Sequence, residues 1–120
     1  MAKILVIDDE ECLRTVVRSI LEDDGYEVLE AGDGRSGLEM YRQYKADLII
    51  TDLAMPIMNG LDFISEVTRN FSNVRIIAMT GMPEWDTSLA EAKLLGAGGT
   101  LRKPFTLEKL LNMVRCELAN

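Results

Sequence analysis

Short apolar runs alternate with segments of helical periodicity along the whole chain, giving five strand–helix pairs. The runs at 4–7 and 48–50 are continuously apolar and mostly β-branched, which is typical of strands buried on both faces. Glu27 and Glu30 interrupt the second run, which favours a more exposed position at the edge of a sheet. The pattern predicts strands at residues 3–7, 26–31, 47–51, 74–79 and 99–102.

Between these runs, apolar residues recur three and four positions apart, and this spacing predicts helices. Gly25 can end the first helix, and Asp33 can cap the second. Residues at this spacing place the first four helices around 13–21, 34–44, 63–71 and 84–95. The inner face of the last helix is predicted to contain Leu107, Leu110, Leu111, Val114 and Leu118.

Five strand–helix units in one chain imply a parallel sheet with helices on both faces and right-handed crossovers. The chain has 120 residues and shows no linker, low-complexity tract or internal repeat. We therefore predict a single α/β domain over residues 1–120.

Composition narrows the possible partners. Hydrophobic content of 48% and charged content of 28% are ordinary for a globular protein. The formal net charge of −7 and the lack of a Lys/Arg run argue against direct binding to nucleic acid or to a membrane surface. Apolar stretches are too short to span a bilayer and no signal-peptide pattern begins the chain, so we expect a cytoplasmic protein.

Histidine is absent, which excludes His-dependent zinc sites, catalytic triads and a phosphohistidine carrier. The two cysteines, Cys12 and Cys116, fall near the start of the first helix and the end of the last. If these helices run parallel, about ten residues of helix, roughly 15 Å, separate the two thiols. We expect both to be free, as in a reducing compartment.

Polar side chains follow the predicted strands where each strand ends: Asp8-Asp9, Asp52, Thr80 and Lys103-Pro104. The carboxyl ends of parallel strands share one edge of the sheet, where ligands of such folds bind. Three carboxylates, a hydroxyl and an ammonium would meet there. That set suits a hard cation together with a phosphoryl group.

Each of these residues also has a structural explanation when it is taken alone. Asp8 and Asp9 could cap a helix, Asp52 could form an Asx turn, Thr80 could cap the next helix, and Lys103 could be an ordinary solvated lysine. Three carboxylates together, however, would repel one another by a few kcal/mol at ~4–5 Å and an effective dielectric constant near 20. This repulsion favours a bound cation, and Mg²⁺ fits an all-oxygen site that keeps several waters.

A glycine-rich segment offers a competing hypothesis. Gly32, Gly34 and Gly37 match the dinucleotide-binding spacing, and Asp52 follows about twenty positions later. The segment does not follow the first strand, however, and Asp33 would place a negative charge beside a pyrophosphate. Dinucleotide binding is therefore disfavoured.

Taken together, the motifs resemble the receiver domain of two-component response regulators, in particular the single-domain, chemotaxis-type members. The resemblance covers nearly the whole chain. It implies a flavodoxin-like, doubly wound (βα)5 fold with strand order 2-1-3-4-5. The motifs that carry it are Asp8-Asp9, residues 52–56 with Gly60, Thr80-Gly81, Gly96-Ala97 and Lys103-Pro104-Phe105.

The resemblance implies that Asp52 is a phosphoacceptor. It would attack the phosphorus of a phosphohistidine on a histidine kinase or histidine phosphotransfer protein and become an aspartyl phosphate. Lys103 would pair first with Asp52 and then with the phosphoryl group, and Thr80 would hydrogen-bond to that group. Such a domain catalyses its own modification but acts primarily as a signalling switch, not as a multiple-turnover enzyme.

The resemblance also implies a Mg²⁺ site. Asp9, Asp52 and the main-chain carbonyl of Ala54 would bind the ion, and Asp8 would contribute directly or through water. Ala54 and Met82 flank the acceptor, and because neither can position an attacking water, we expect a long-lived phosphorylated form.

A downstream target protein would bind the surface formed by the fourth helix, the fifth strand and the fifth helix, with the domain itself a monomer or weak dimer. One position departs from the family pattern: Thr100 stands three residues before Lys103, where receivers usually carry an aromatic residue. Trp85 is a candidate replacement, although a tryptophan at the start of a helix is more often part of the core.

Two other functions remain as alternatives. A phosphatase of the haloacid-dehalogenase type would also use Mg²⁺ and an aspartyl phosphate. It would need Asp-x-Asp after the first strand and a cap domain, and the chain offers neither. A degenerate receiver acting as a binding scaffold is disfavoured because all five active-site positions are filled.

Overall fold

The computed structural model describes residues 1–82 and 86–119. Strands and helices alternate through this part of the chain, as the hydrophobic pattern predicts. The strands are β1 (Lys3–Ile7), β2 (Glu27–Ala31), β3 (Leu48–Asp52), β4 (Ile76–Thr80) and β5 (Gly99–Arg102). The helices are α1 (Glu11–Asp23), α2 (Gly34–Tyr44), α3 (Gly60–Asn70), α4 (Asp86–Leu95) and α5 (Leu107–Ala119).

The strands form one parallel sheet in the order β2-β1-β3-β4-β5. This order confirms the predicted doubly wound fold. The strand that carries Glu27 and Glu30, β2, lies at an edge, as its charged residues indicated. Side chains alternate across the sheet, so β1 to β4 each contribute to two separate cores, whereas β5 contributes Leu101 to one of them.

The two cores lie on opposite faces of the sheet. Ile4 and Val6 of β1 pack in a cluster with residues of α1 and α5. Leu5 and Ile7 point the other way, into a cluster with residues of α2, α3 and α4 such as Phe63. Burying each large apolar side chain contributes about 1.5–3 kcal/mol, so both layers hold the central strands firmly in place.

Close packing accounts for Gly34 and Gly37 in the glycine-rich segment at residues 32–37. A Cβ on Gly37 would lie 2.4 Å from the Cδ1 of Ile7, and one on Gly34 would lie 2.8 Å from the carbonyl oxygen of Met58. Asp33 caps α2 by accepting the N–H of Ser36 at 2.8 Å, as predicted. These glycines follow the edge strand and let α2 approach its neighbours.

Two strands begin and end later than predicted. Asp52 and Thr80 are the last residues of β3 and β4, whereas the sequence placed them just past the strand ends. The difference arises because the ladder hydrogen bonds continue: Leu53 N–H donates to the carbonyl of Met79 at 3.0 Å, and Lys103 N–H donates to that of Thr80 at 2.8 Å. Sheet hydrogen bonds thus hold the backbone on which both of these side chains are carried.

The buried face of α5 differs from the prediction at its two ends. Leu107, the first residue of the helix, is 55% exposed beside a small groove that Val16 of α1 also lines. Glu117 is only 8% exposed. Its burial follows from its position three residues after Val114, on the same face of the helix.

Cys12 and Cys116 are exposed, free thiols, as predicted. Trp85, the candidate replacement for the missing aromatic residue, lies outside the described residues. Within residues 1–82 and 86–119, no helix has both the length and the apolar character needed to cross a membrane.

Candidate functional site at the sheet edge

Three carboxylates meet at the carboxyl edge of the central strands. Asp8, Asp9 and Asp52 each offer an oxygen, and these oxygens lie within 4.8 Å of one another. Asp8 directly follows β1, where its N–H donates to the carbonyl of Ala31 at 3.1 Å, and Asp52 ends the neighbouring strand β3. The grouping predicted from the strand ends is therefore present.

Lys103 bridges two of these carboxylates. Its Nζ lies 2.9 Å from Oδ2 of Asp8 and 3.3 Å from Oδ2 of Asp52. The Lys103–Pro104 peptide bond is cis. The structure thus places Lys103 beside Asp52, as the sequence predicted, and closer still to Asp8.

Backbone N–H groups orient both carboxylates. Oδ1 of Asp8 accepts the N–H of Glu10 at 2.9 Å, and Oδ1 of Asp52 accepts the N–H of Leu53 at 2.9 Å. In each case one oxygen is held by the main chain while the other faces Lys103. The site is therefore organised in advance of any ligand.

Arg14 is a supporting residue that sequence reasoning did not identify. Its Nη1 donates to the main-chain carbonyl of Asp8 at 2.6 Å, and its Nε pairs with Glu30 at 2.9 Å. These contacts anchor the turn after β1 to the edge strand. The only available signal was the position of Arg14 in the first turns of the helix that follows the acidic pair.

Burial and crowding change the protonation equilibria of the site. Burial, together with the charge of Asp8, raises the pKa of Asp52 from its ordinary value of 3.8 to about 6, although Lys103 and the Leu53 N–H oppose the shift. Burial lowers the pKa of Lys103, but its contacts with Asp8 and Asp52 outweigh that effect and raise the pKa overall. Lys103 therefore remains an ammonium at neutral pH.

An open cavity of about 510 Å³ gives access to the site. Asp8 is completely buried beneath it, whereas Asp52 keeps 6% of its surface exposed. A ligand entering the cavity would meet Asp52 and Lys103 directly. The cavity is lined by Asp9, Glu10, Asp52, Ala54, Gly81, Met82 and Lys103.

Thr80 occupies the end of the adjacent strand and is completely buried. Its Oγ1 accepts the N–H of Met82 at 3.3 Å. The structure brings Thr80 to the same edge of the sheet, but the lining of the cavity comes from its neighbours Gly81 and Met82. Contact between the Thr80 hydroxyl and a phosphoryl group remains a prediction, as does a role for the Ala54 carbonyl.

The donor set fits a divalent cation. The clustered side chains offer only carboxylate oxygens, the ligands that Mg²⁺ prefers. Three carboxylates against one ammonium also leave an excess of negative charge when all four groups are ionised. Asp8, Asp9 and Asp52 could therefore hold Mg²⁺.

Comparisons with known proteins agree with this arrangement. The sequence model of the response regulator receiver domain matches residues 4–115. The chemotaxis protein CheY of Thermotoga maritima is 36% identical over 104 residues, 86% of either chain.

Two solved structures give the same result. A response regulator receiver domain protein from Clostridium thermocellum superimposes with a TM-score of 0.90 at 34% identity, covering 99% of this chain and 95% of its own. The response regulator TrrA of Thermotoga maritima, crystallised in complex with Mg²⁺ and BeF, gives a TM-score of 0.87 at 28% identity. That match covers 97% of this chain and 98% of TrrA.

Proposed function

Since the chain belongs to the response regulator receiver domain family, we propose that its Asp52 accepts a phosphoryl group from a phosphohistidine on a histidine kinase or histidine phosphotransfer protein. The protein is a phosphorelay signalling domain and not a classical enzyme. The observation that carries the proposal is the contact of 3.3 Å between Asp52 and Lys103, which both line an open cavity.

Asp52 is better placed to react than the other two carboxylates. Asp8 is completely buried beneath the cavity, and Asp9 is exposed with no ammonium beside it among the described residues. Asp52 alone of the three both lines the cavity and contacts Lys103. Its raised pKa of about 6 also makes the ionised carboxylate more basic than an ordinary aspartate.

We assign the metal site to Asp8, Asp9, Asp52 and the main-chain carbonyl of Ala54. The clustered carboxylate oxygens support the three side chains, and Ala54 lines the same cavity. When bound, Mg²⁺ would supply positive charge that offsets the charge on the phosphoryl oxygens.

In the transfer step, a carboxylate oxygen of Asp52 attacks the phosphorus in line with the departing histidine nitrogen. The new O–P bond forms a mixed anhydride, and the N–P bond breaks with its electron pair on the imidazole. Lys103 transfers its contact from the Asp52 carboxylate to the phosphoryl oxygens, and the Thr80 hydroxyl donates to one of them. Fixed charges of this kind are the main source of catalysis in phosphoryl transfer.

The output is a change in affinity for a downstream protein at the surface formed by α4, β5 and α5. A ligand or modification inverts a two-state population when it favours one state by a few kcal/mol.

The chain itself would act as a monomer or weak dimer. Ala54 and Met82 both line the cavity and cannot position a water for attack, which supports a long-lived phosphorylated form.

Acetyl phosphate, with and without Mg²⁺, tests the proposal directly. We expect one acid-stable, base-labile phosphoryl group by intact-mass measurement, dependent on Mg²⁺ and absent in Asp52→Asn. Asp62→Asn, which neutralises an exposed aspartate outside the site, is the matched control and should react normally. Steady release of phosphate without a modified protein would instead support a phosphatase, and no reaction at all would support a scaffold.

A further inference from the structure

A third buried carboxylate, outside the site of Asp8 and Asp52, lies beside the edge strand β5. Glu117 of α5 is 8% exposed and rests against the backbone of Gly98 and Gly99. Within residues 1–82 and 86–119, no hydrogen bond or ion pair to its carboxylate is present. The proposed phosphotransfer makes no use of this group.

An unpartnered carboxylate is costly to bury, because the charge loses its hydration. Every fully buried polar side-chain atom in the described part of the chain has a hydrogen-bond partner. The oxygens of Glu117 must therefore be reached from the adjoining cavity of about 210 Å³. Besides Glu117, this cavity is lined by Lys93, Gly98, Gly99, Thr100, Met113 and Cys116.

Small residues keep this cavity open. A Cβ on Gly98 would lie 2.3 Å from Oε2 of Glu117, so only glycine leaves the carboxylate where it is. Thr100 lines the cavity with a short side chain. The volume of about 210 Å³ compares with the ~30 Å³ that one water takes up in the liquid, so the space suits a group of several heavy atoms.

We propose that this cavity binds an arginine side chain of the downstream protein, with Glu117 as its counter-ion. A guanidinium is weakly hydrated and planar and can donate two parallel hydrogen bonds to one carboxylate, which suits a cavity whose lining includes one buried, unpartnered glutamate. The net charge of −7 favours a basic guest. Leu94, next to Lys93 in sequence, is 89% exposed and could contact apolar residues that flank the arginine.

Lys93 is the competing cation within the chain. It lines the same cavity but makes no ion pair with Glu117 in the described structure. If the carboxylate serves a guest, removing Lys93 should leave guest binding unchanged or stronger. If Lys93 were instead the counter-ion of Glu117, removing Lys93 would destabilise the fold. An arginine guest would then bind wild type and the variants equally.

The inference rests on the proposed function only in assigning the arginine to a downstream protein. The test therefore uses unphosphorylated protein, and Asp52→Asn should behave as wild type in it. We would titrate ¹⁵N-labelled protein with N-acetyl-arginine N-methylamide and follow the amide signals of Gly98, Gly99 and Thr100. The neutral citrulline analogue of the probe is the matched control.

We expect the arginine probe to shift these signals at millimolar concentration, and the citrulline probe to bind at least about tenfold more weakly. Glu117→Gln, which keeps the size of the side chain, should lose that preference. Thr100→Tyr should block the cavity while Glu117 remains, and Lys93→Met should bind at least as well as wild type. Equal response to both probes, no response to either, or unchanged binding in Glu117→Gln would overturn the inference.

Discussion

The sheet-edge site and the Glu117 cavity both bury carboxylates, but they balance the charge differently. At the sheet edge, Asp8 and Asp52 share the ammonium of Lys103 at 2.9 and 3.3 Å. Glu117 has no such partner in the described structure and adjoins a cavity instead. A buried carboxylate with a counter-ion in the same chain is held in place for a reaction at that site. A buried carboxylate without one can pair with a cation from another molecule.

The strands and helices that carry these carboxylates also differ between the two sites. Asp8 and Asp52 extend from β1 and β3, two interior strands that are paired on both sides. Glu117 belongs to a helix and lies over β5, a four-residue strand at the sheet edge. Interior strands fix the distances that phosphoryl transfer requires, and an edge strand leaves room for a partner.

Removing the shared ammonium should have the largest effect on stability. In Lys103→Met, two buried carboxylates lose their counter-ion, and we expect a loss of about 3 kcal/mol in the free energy of unfolding in metal-free buffer at pH 7.5. Urea unfolding followed by circular dichroism would measure this loss. Added Mg²⁺ should restore part of it, because the cation replaces the missing positive charge.

Lys109→Met is the control, since Lys109 is an exposed lysine of α5 away from the carboxylates. It should change stability by less than about 0.5 kcal/mol. If Lys103→Met proved as stable as this control, the edge carboxylates would not depend on the lysine, and the contrast with Glu117 would fail.

Neutralising Asp52 should raise the free energy of unfolding, and by less than Lys103→Met lowers it. Its pKa is about 6 in the folded protein and 3.8 ordinarily, so the folded state binds the proton more tightly than the unfolded state. The stability that this provides is complete below about pH 4 and is lost as the pH rises through about 6. Above that pH, the ionised Asp52 destabilises the metal-free fold.

We therefore expect Asp52→Asn to be about 2 kcal/mol more stable than wild type at pH 7.5 without Mg²⁺, a difference that shrinks toward zero near pH 4. Urea unfolding of both proteins between pH 4 and 8 would measure it. Saturating Mg²⁺ should reverse the order, since the ion stabilises wild type more strongly. A difference that stays constant across the pH range would contradict the raised pKa.

Sequence predicted the sheet well because its signals are local. Continuous apolar residues mark the interior strands, and the charges of Glu27 and Glu30 mark the edge strand β2. Parallel topology then brings Asp8, Asp9 and Asp52 to one place without any knowledge of distances. The same topology predicted that Lys103 would meet these carboxylates, although 95 residues separate Lys103 from Asp8, and only its specific pairing with Asp52 came from the resemblance.

The features that escaped prediction depend on packing between helices and strands. A glutamate near the end of a helix is ordinarily exposed, and only the flat backbone at Gly98 and Gly99 allows Glu117 to be buried. Leu107 fits the apolar stripe of α5 but lies at the tip of the helix, past the end of the core. The hydrophobic periodicity of one helix or strand does not show which neighbouring element packs against it.

The smallest stability effect belongs to Asp9, the exposed carboxylate of the cluster. Water screens its repulsion with Asp8 and Asp52, so Asp9→Asn should stabilise the metal-free fold by only about 0.5 kcal/mol. Its Mg²⁺ affinity should nevertheless fall at least about tenfold, because a charged ligand is lost. Isothermal titration with Mg²⁺ would measure the affinity, with Glu117→Gln as the matched control. That variant also removes one negative charge, but from outside the cluster of Asp8, Asp9 and Asp52, and should bind Mg²⁺ as wild type does. An equal loss in both variants would mean that total charge, not the carboxylate cluster, determines metal binding.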